Sequence, residues 1–232
     1  MAKDVKQAQA LILAGKVFSR EQRVEKPGTL VSIDIPIEVR SADHPWVSRG
    51  GIKLNHALDH FQINVEGVTA IDVGSSTGGF TDVLLSRGVA HVYAVDVGYG
   101  QLHWKLRQDS RVSVLERQNA RYLSQNHIPG SVGAVVCDAS FTRLESVMPV
   151  PMKFVTSGGY LVALIKPQFE VAKKEVGRGG IVRDPGLHRD VCARIESWLT
   201  GRTGWTVLGV EESPITGAGG NTEFLIAARL NI

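Results

Sequence analysis

The sequence predicts an α/β fold: a doubly wound, mostly parallel seven-stranded sheet with an antiparallel last strand, preceded by a small partial N-terminal α+β module. Three observations carry this. Short apolar runs from Ala70 to the C-terminus read as strands, helical spacing separates most of them, and the last two are joined by too few residues for a crossover helix.

Residues 3–14 have helical periodicity, with Val5, Ala8, Leu11 and Ile12 on one side and Gly15 as the stop. Residues 17–18 and 29–39 read as short strands around the turn Lys26-Pro27-Gly28. This front module is expected over 1–40, a polar linker anchored by Trp46 over 41–51, and the main domain over 52–232. There the alternation is regular: helix 52–61, strand 70–73, helix 79–87, strand 92–95, short helix 102–107 and strand 112–115. Strand 134–137, helix 144–155, strand 160–165, helix 187–200 and a closing hairpin of 206–210 with 223–230 complete it. Such a sheet binds its ligands at the carboxyl ends of its strands.

A chain of 232 residues holds one sizeable core plus an appendage. No apolar run approaches the length of a membrane span and no signal peptide is visible, so a cytoplasmic protein without membrane association, monomeric by default, is expected. Cys137 and Cys192 stand outside any C-x-x-C or Cys/His cluster, so no metal site and no structural zinc is expected. The net charge of +3 resides in residues 1–27, where Lys3, Lys6, Lys16, Arg20, Arg23 and Lys26 outnumber Asp4, Glu21 and Glu25. That surplus suits a phosphate-contacting module, and equally a solvated helix face.

The most informative stretch begins at Ile71 and runs IDVGSSTGGFTDVLLSRGVAHVYAVDVGYG. It reads as a buried strand, a glycine-rich turn at Gly74, Gly78 and Gly79, a helix, and a second strand ending at Asp96. An acid in that position accepts hydrogen bonds from ribose hydroxyls. A dinucleotide loop requires glycine where this chain has Ser76, so the turn is a poor pyrophosphate seat. S-adenosylmethionine presents a carboxylate, an amine and a ribose, which a Ser/Thr-rich turn with free N–H groups suits better. The competing reading is that these glycines only let helix and strand pack.

At the strand ends, Asp138 closes one apolar run, Lys166 closes the next and Glu223 opens the last, while Lys53 begins the helix before the first strand. Singly, each is an ordinary polar residue at a strand end. Converging, two amines and two carboxylates make a candidate reaction centre.

The series SREQ with EKPG, VSRGGIKL, DVGSSTGGFTDVLL, AVDVGYGQLHWKLR, LERQNARYL, CDASF, LIKPQFE, GRGGIVRD and GGNTEFL, in that order, resembles the TlyA-type family. These are S4-domain proteins with an FtsJ/RrmJ-like methyltransferase domain, often called hemolysins. The resemblance implies a Rossmann-like methyltransferase sheet and transfer of a methyl group from S-adenosylmethionine to a ribose 2′-hydroxyl, a cytidine's, in the RNA of a ribosomal subunit. It also implies a catalytic tetrad of Lys53, Asp138, Lys166 and Glu223. A ribose hydroxyl is a very weak acid, so its proton must leave as the oxygen attacks in line. Lys166 is assigned to the hydroxyl, Asp138 to positioning it, and Lys53 with Glu223 to the surrounding frame. The expected cofactor contacts are Gly74, Ser75, Ser76, Thr77, Gly78 and Gly79 at the methionine end with Phe80 over it. Asp96 takes the ribose, Val97, Asn119 and Ala120 the adenine, and Asp138 lies near the sulfonium. The front module is similar to a partial S4 unit whose first helix is missing, and SREQ follows its helix instead of leading into one.

Other readings fare worse. Cys137 lacks the proline that precedes a C5-methylating cysteine, and DASF is not the N/D-P-P-Y/F turn of amino methyltransferases. His103 and His188 stand alone. A noncatalytic RNA-binding or assembly factor is the alternative from another class. A membrane-lytic protein would need a stronger amphipathic segment than residues 5–13.

Overall fold

The computed structural model describes residues 2, 4–13, 16–19, 22–24, 26–32, 34–39 and 44–231, with the side chains of Ala10, Arg23 and Ala218 left aside. The chain divides into two compact units, Met1–Pro45 and Trp46–Ile232.

In the first unit, helix α1 (Val5–Leu13) is followed by strands β1 (Val17–Ser19), β2 (Gln22–Arg23) and β3 (Ile37–Val39), with β1 central and antiparallel to both neighbours. The expected Gly15 stop and the middle of the SREQ motif lie outside the described residues. Among the described residues of the expected 29–39 strand, only Ile37–Val39 belong to a strand. Thr29 folds back on Lys26, donating to its carbonyl from both N (3.2 Å) and Oγ1 (2.8 Å), and Ile35 N donates to the Ser32 carbonyl (3.1 Å). These turns consume the backbone groups a ladder would need.

The second unit carries helices α2 (Gly50–His60), α3 (Gly79–Ser86), α4 (Trp104–Arg107), α5 (Leu144–Val147), α6 (Pro167–Glu170) and α7 (Pro185–Thr200). Its strands are β4 (Thr69–Val73), β5 (His91–Val95), β6 (Val112–Leu115), β7 (Val132–Cys137), β8 (Val155–Ile165), β9 (Trp205–Glu212) and β10 (Phe224–Leu230). They form one seven-stranded sheet in the order β6-β5-β4-β7-β8-β10-β9, in which β10 runs antiparallel to both neighbours and the other pairings are parallel. The doubly wound sheet and the antiparallel last strand are those the sequence predicts.

Alternation along each strand builds the two cores. Ala70, Ala94, Val136 and Leu164 face α2, α3 and α4, joining Leu54, Leu84 and Leu106. Ile71, Val95, Val135 and Ile165 face the other way, onto Leu144, Ile195 and Leu199 of α5 and α7. Each fully buried Leu or Ile stabilises the sandwich by about 1.5–3 kcal/mol.

The helix expected over 144–155 is not continuous. It stops at Val147, gives way to a 3-10 turn at Pro151–Phe154, and Val155 already belongs to β8. Pro149 and Pro151 lack the N–H groups a continuing helix needs. Among the described residues no helix is long and apolar enough to cross a membrane.

Because β10 runs against the parallel strands, its first end lies at the same sheet edge as their carboxyl ends. The order reverses between β4 and β7, so Gly74 after β4 and Asp138 after β7 face each other at the switch point.

Candidate active site

The loop after β4 is shaped by its own backbone. Gly74 N and Ser75 N both donate to the Val95 carbonyl, at 2.8 and 3.1 Å, which turns the chain back across the sheet edge. Gly74 has φ +80°, and a Cβ there would lie 2.8 Å from the Ala139 backbone, so this position accepts only glycine. Beneath the loop, Thr81 Oγ1 donates to Asp72 Oδ2 (2.7 Å), while Asp72 Oδ1 is enclosed with no hydrogen-bond partner among the described residues. Burial pushes the Asp72 carboxyl up to about 7, opposed by the Thr81 hydrogen bond and reinforced by the Asp138 and Asp96 charges.

Asp96 stands at the end of β5 and holds the loop. Its Oδ2 accepts from Ser76 N and its Oδ1 from Gly98 N, both at 2.7 Å, leaving further lone pairs on each oxygen for ligand hydroxyls. It opens on a cavity of about 570 Å³ lined also by Gly74, Ser76, Val97, Asn119, Ala120, Asp138, Ala139 and Phe141. Asn119 accepts from Arg121 N (3.0 Å) and so caps the 3-10 turn that presents Ala120.

A second cavity, about 450 Å³, is lined by Ser48, Arg49, Lys53, Ser75, Thr77, Gly79, Phe80, Lys166 and Thr216. It shares Gly74, Ser76, Asp138 and Ser140 with the first, so the two open into one another along the β4–β7 switch. Lys166 Nζ pairs with Asp138 Oδ1 at 2.5 Å and donates to the Asp138 carbonyl (3.0 Å) and Ser140 Oγ (2.9 Å). Lys53 and Glu223, both buried, form an ion pair. The buried face of α2 carries Lys53 alongside Leu54, Ala57 and Leu58, which is why a lysine points inward here.

The structure thus brings Lys53, Asp138 and Lys166 to the wall of one cavity, with Glu223 directly behind Lys53. Gly78 lines neither cavity. It caps α3 at φ +98°, and a Cβ would meet Leu106 Cδ1 at 2.2 Å, so the absent side chain lets the turn pack against α4. Phe80 is almost fully buried and contributes an edge of the wall more than a cover. Cys137 lies in the core, and burial pushes its thiol up to about 12, which removes it as a nucleophile at neutral pH.

Sequence reasoning missed Ser140 and Phe141. Ser140 completes the acceptor set of Lys166, and Phe141, highly exposed with φ +62°, leans on Phe169 with ring centroids 4.9 Å apart. Their neighbour Asp138 in CDASF was the available signal. The glycine-rich and asparagine motifs are also joined: Val182 N donates to Asn221 Oδ1 and Asn221 Nδ2 to the Gly180 carbonyl, both at 3.0 Å, fixing the approach to Glu223.

The sequence profile of the FtsJ-like methyltransferases matches residues 46–230. The 16S/23S rRNA (cytidine-2′-O)-methyltransferase TlyA of Mycobacterium tuberculosis is 47% identical over 231 residues, 99% of this chain and 85% of its own length. Hemolysin A of Brachyspira hyodysenteriae is 39% identical over 219 residues, 94% of this chain and 90% of its own. Among solved structures, a hemolysin-named protein of Streptococcus thermophilus superposes with a TM-score of 0.79 at 40% identity, covering 97% of this chain and 82% of that one.

Proposed function

The chain belongs to the FtsJ-like methyltransferase family, and from that premise we propose that it methylates a ribose 2′-hydroxyl, a cytidine's, in ribosomal RNA, with S-adenosylmethionine as donor. The observation that carries the reading is the shared wall of the two cavities, where the Lys166–Asp138 pair stands between a nucleoside-sized hollow and a polar one.

The larger cavity fits the donor. Val97, Ala120, Ala139 and Phe141 offer apolar contact to an adenine, and Asp96 offers acceptors to the ribose diol. When bound, S-adenosylmethionine supplies a methyl group activated by a sulfonium. The residues of the chain then have to bring a weakly acidic hydroxyl into line and remove its proton.

The ammonium of Lys166 donates to the Asp138 carbonyl and Ser140 Oγ and stands in ion-pair contact with Asp138 Oδ1, which has no hydrogen-bond partner among the described residues. An incoming ribose hydroxyl takes the place of Ser140, whose side chain is free to turn, and is gripped by Lys166. Lys166 serves as the base after handing one ammonium proton to the Asp138 carboxylate, and the neutral amine so formed takes the hydroxyl proton as the oxygen attacks. Lys53 adds a second cation beside the attacking oxygen, and Glu223 keeps that cation in place inside the protein. Arg49 at the mouth of the smaller cavity is placed to meet a phosphate of the same nucleotide. The first unit, with its basic surplus, is assigned to RNA contact, and a ribosomal substrate puts the enzyme in the cytoplasm.

The test is incubation of purified ribosomal subunits with methyl-labelled S-adenosylmethionine and mapping of the product. Label on a cytidine ribose is expected. Label on a base, or none on RNA of either subunit, would refute the proposal.

A further inference from the structure

We propose that His56, His60 and Glu211 form a binding site for a divalent metal ion of the zinc type on the flank of the second unit, a site separate from both cavities described above. His56 and His60 are four residues apart on α2, so their rings project from one face, and Glu211 reaches them from β9. His56 Nε2 lies 3.7 Å from Glu211 Oε1, and His60 Nε2 lies 3.8 Å from Glu211 Oε2. Both separations exceed hydrogen-bond length. They match a carboxylate and two imidazoles gathered around a common point, since tetrahedral ligands at about 2.0–2.1 Å from zinc stand roughly 3.4 Å from one another.

A second observation points the same way. Among the described residues His56 Nε2 is enclosed and has no hydrogen-bond partner, an arrangement that costs free energy until something coordinates it. All three ligand atoms lie within 4.8 Å of one another, and His60 is the most exposed of the three side chains. The adjacent Asp59 is already engaged by Arg87 and Asn55 and is not a ligand. Beside the cluster an open hollow lined by Trp46, Ile52 and Pro214 leaves room for a water in the fourth position.

The placement has a consequence for the reaction centre. His56 lies one turn after Lys53 on α2, and β9 pairs with β10, which begins immediately after Glu223. An ion held by α2 and β9 therefore ties the helix that carries Lys53 to the strand paired with β10, whose first residue follows Glu223. The sequence expectation of no metal weighed cysteines, which this site does not use.

The test uses the full-length chain without an affinity tag, titrated with Co²⁺ and then Zn²⁺. Uptake of one Co²⁺ per chain with the intense d–d absorption of a tetrahedral ion is expected, followed by displacement by Zn²⁺ and a rise in Tm in either ion. His60→Ala and the near-isosteric Glu211→Gln should weaken Zn²⁺ binding by more than the roughly ten- to hundredfold that an outer-shell partner is worth. Circular dichroism confirms that the variants are folded. Failure to take up either ion, a thiolate charge-transfer band, or affinity unchanged in both variants would overturn the site.

Discussion

Lys166 and Asp138 pair at 2.5 Å across the neighbouring parallel strands β8 and β7, on the line where the two cavities join. The amine is buried while the carboxylate keeps some contact with water. On the proposed function, this pair is the group that takes the proton of the ribose hydroxyl.

Lys166→Ala is accordingly expected to lower the methyl-transfer rate by about 10²–10⁴-fold, the range of a lost acid–base group. Binding of S-adenosylmethionine should persist, because its adenine and ribose contacts at Asp96, Val97 and Ala120 lie in the larger cavity, which Lys166 does not line. Ser140→Ala removes one neutral acceptor, worth about 0.5–1.5 kcal/mol, and should cost no more than roughly tenfold. Single-turnover assays with labelled donor check both. A Lys166→Ala protein of near wild-type rate would exclude the assigned role.

Asp96→Ala separates binding from chemistry. The carboxylate offers charged hydrogen bonds of about 1.5–3 kcal/mol each, so donor affinity should fall by roughly ten- to a hundredfold per bond lost. The substitution also frees Ser76 N and Gly98 N, loosening the loop. Calorimetric titration with S-adenosylmethionine measures the first effect, and hydrogen exchange across the loop the second. Unchanged affinity would place the ribose elsewhere.

Most of the sheet was legible because its signal is local. Residues 112–115 have the bounds of β6, and the loop between Asp72 and Gly79 announced itself through glycine spacing. The interrupted helix after Leu144 failed on two prolines that apolar periodicity outweighed. Strand β2, two residues long, has no period to read. The tetrad came from resemblance joined to strand-end position, whereas Ser140 and Phe141 depend on a backbone turn at φ +62° that DASF does not advertise. Glu211 and the α2 histidines are far apart in sequence, and only the tertiary fold brings their side chains within reach of one another.

Asp72 predicts a pH dependence of stability. Its folded carboxyl titrates near 7 through burial, against 3.8 without the fold, so the folded chain holds a proton the unfolded chain gives up. Stability therefore falls as pH rises from about 4 to about 7 and stays reduced above that. Asp72→Asn keeps an acceptor for Thr81 and removes the charge. Its Tm should exceed wild type at pH 8, with the advantage shrinking or reversing by pH 5. At about 1.36 kcal/mol per pKa unit, the gain is bounded near 4 kcal/mol. Urea unfolding at the two pH values decides; parallel pH profiles for the two proteins would rule the effect out.

Gly217→Ala tests the frame around Lys53 without removing any of its charges. A Cβ at Gly217 would lie 1.9 Å from Glu223 Oε1 and 2.3 Å from its Cδ. The backbone has little room to retreat, because Gly217 N donates to the Asn221 carbonyl at 2.8 Å and Asn221 is itself tied to Val182 and Gly180. The carboxylate must move instead, and Lys53 loses its partner. Overpacking of this kind costs about 1–3 kcal/mol of stability, and a displacement on the order of 1 Å at the reacting centre costs roughly a hundredfold in rate. Donor affinity should change little, since the adenine and ribose contacts at Asp96, Val97 and Ala120 lie in the larger cavity, which Gly217 does not line. Gly130→Ala, where a Cβ meets nothing within 4 Å, is the control and should behave as wild type. A Gly217→Ala enzyme with full turnover would mean that Glu223 can leave Lys53 without consequence, and the second ion pair would then be structural alone.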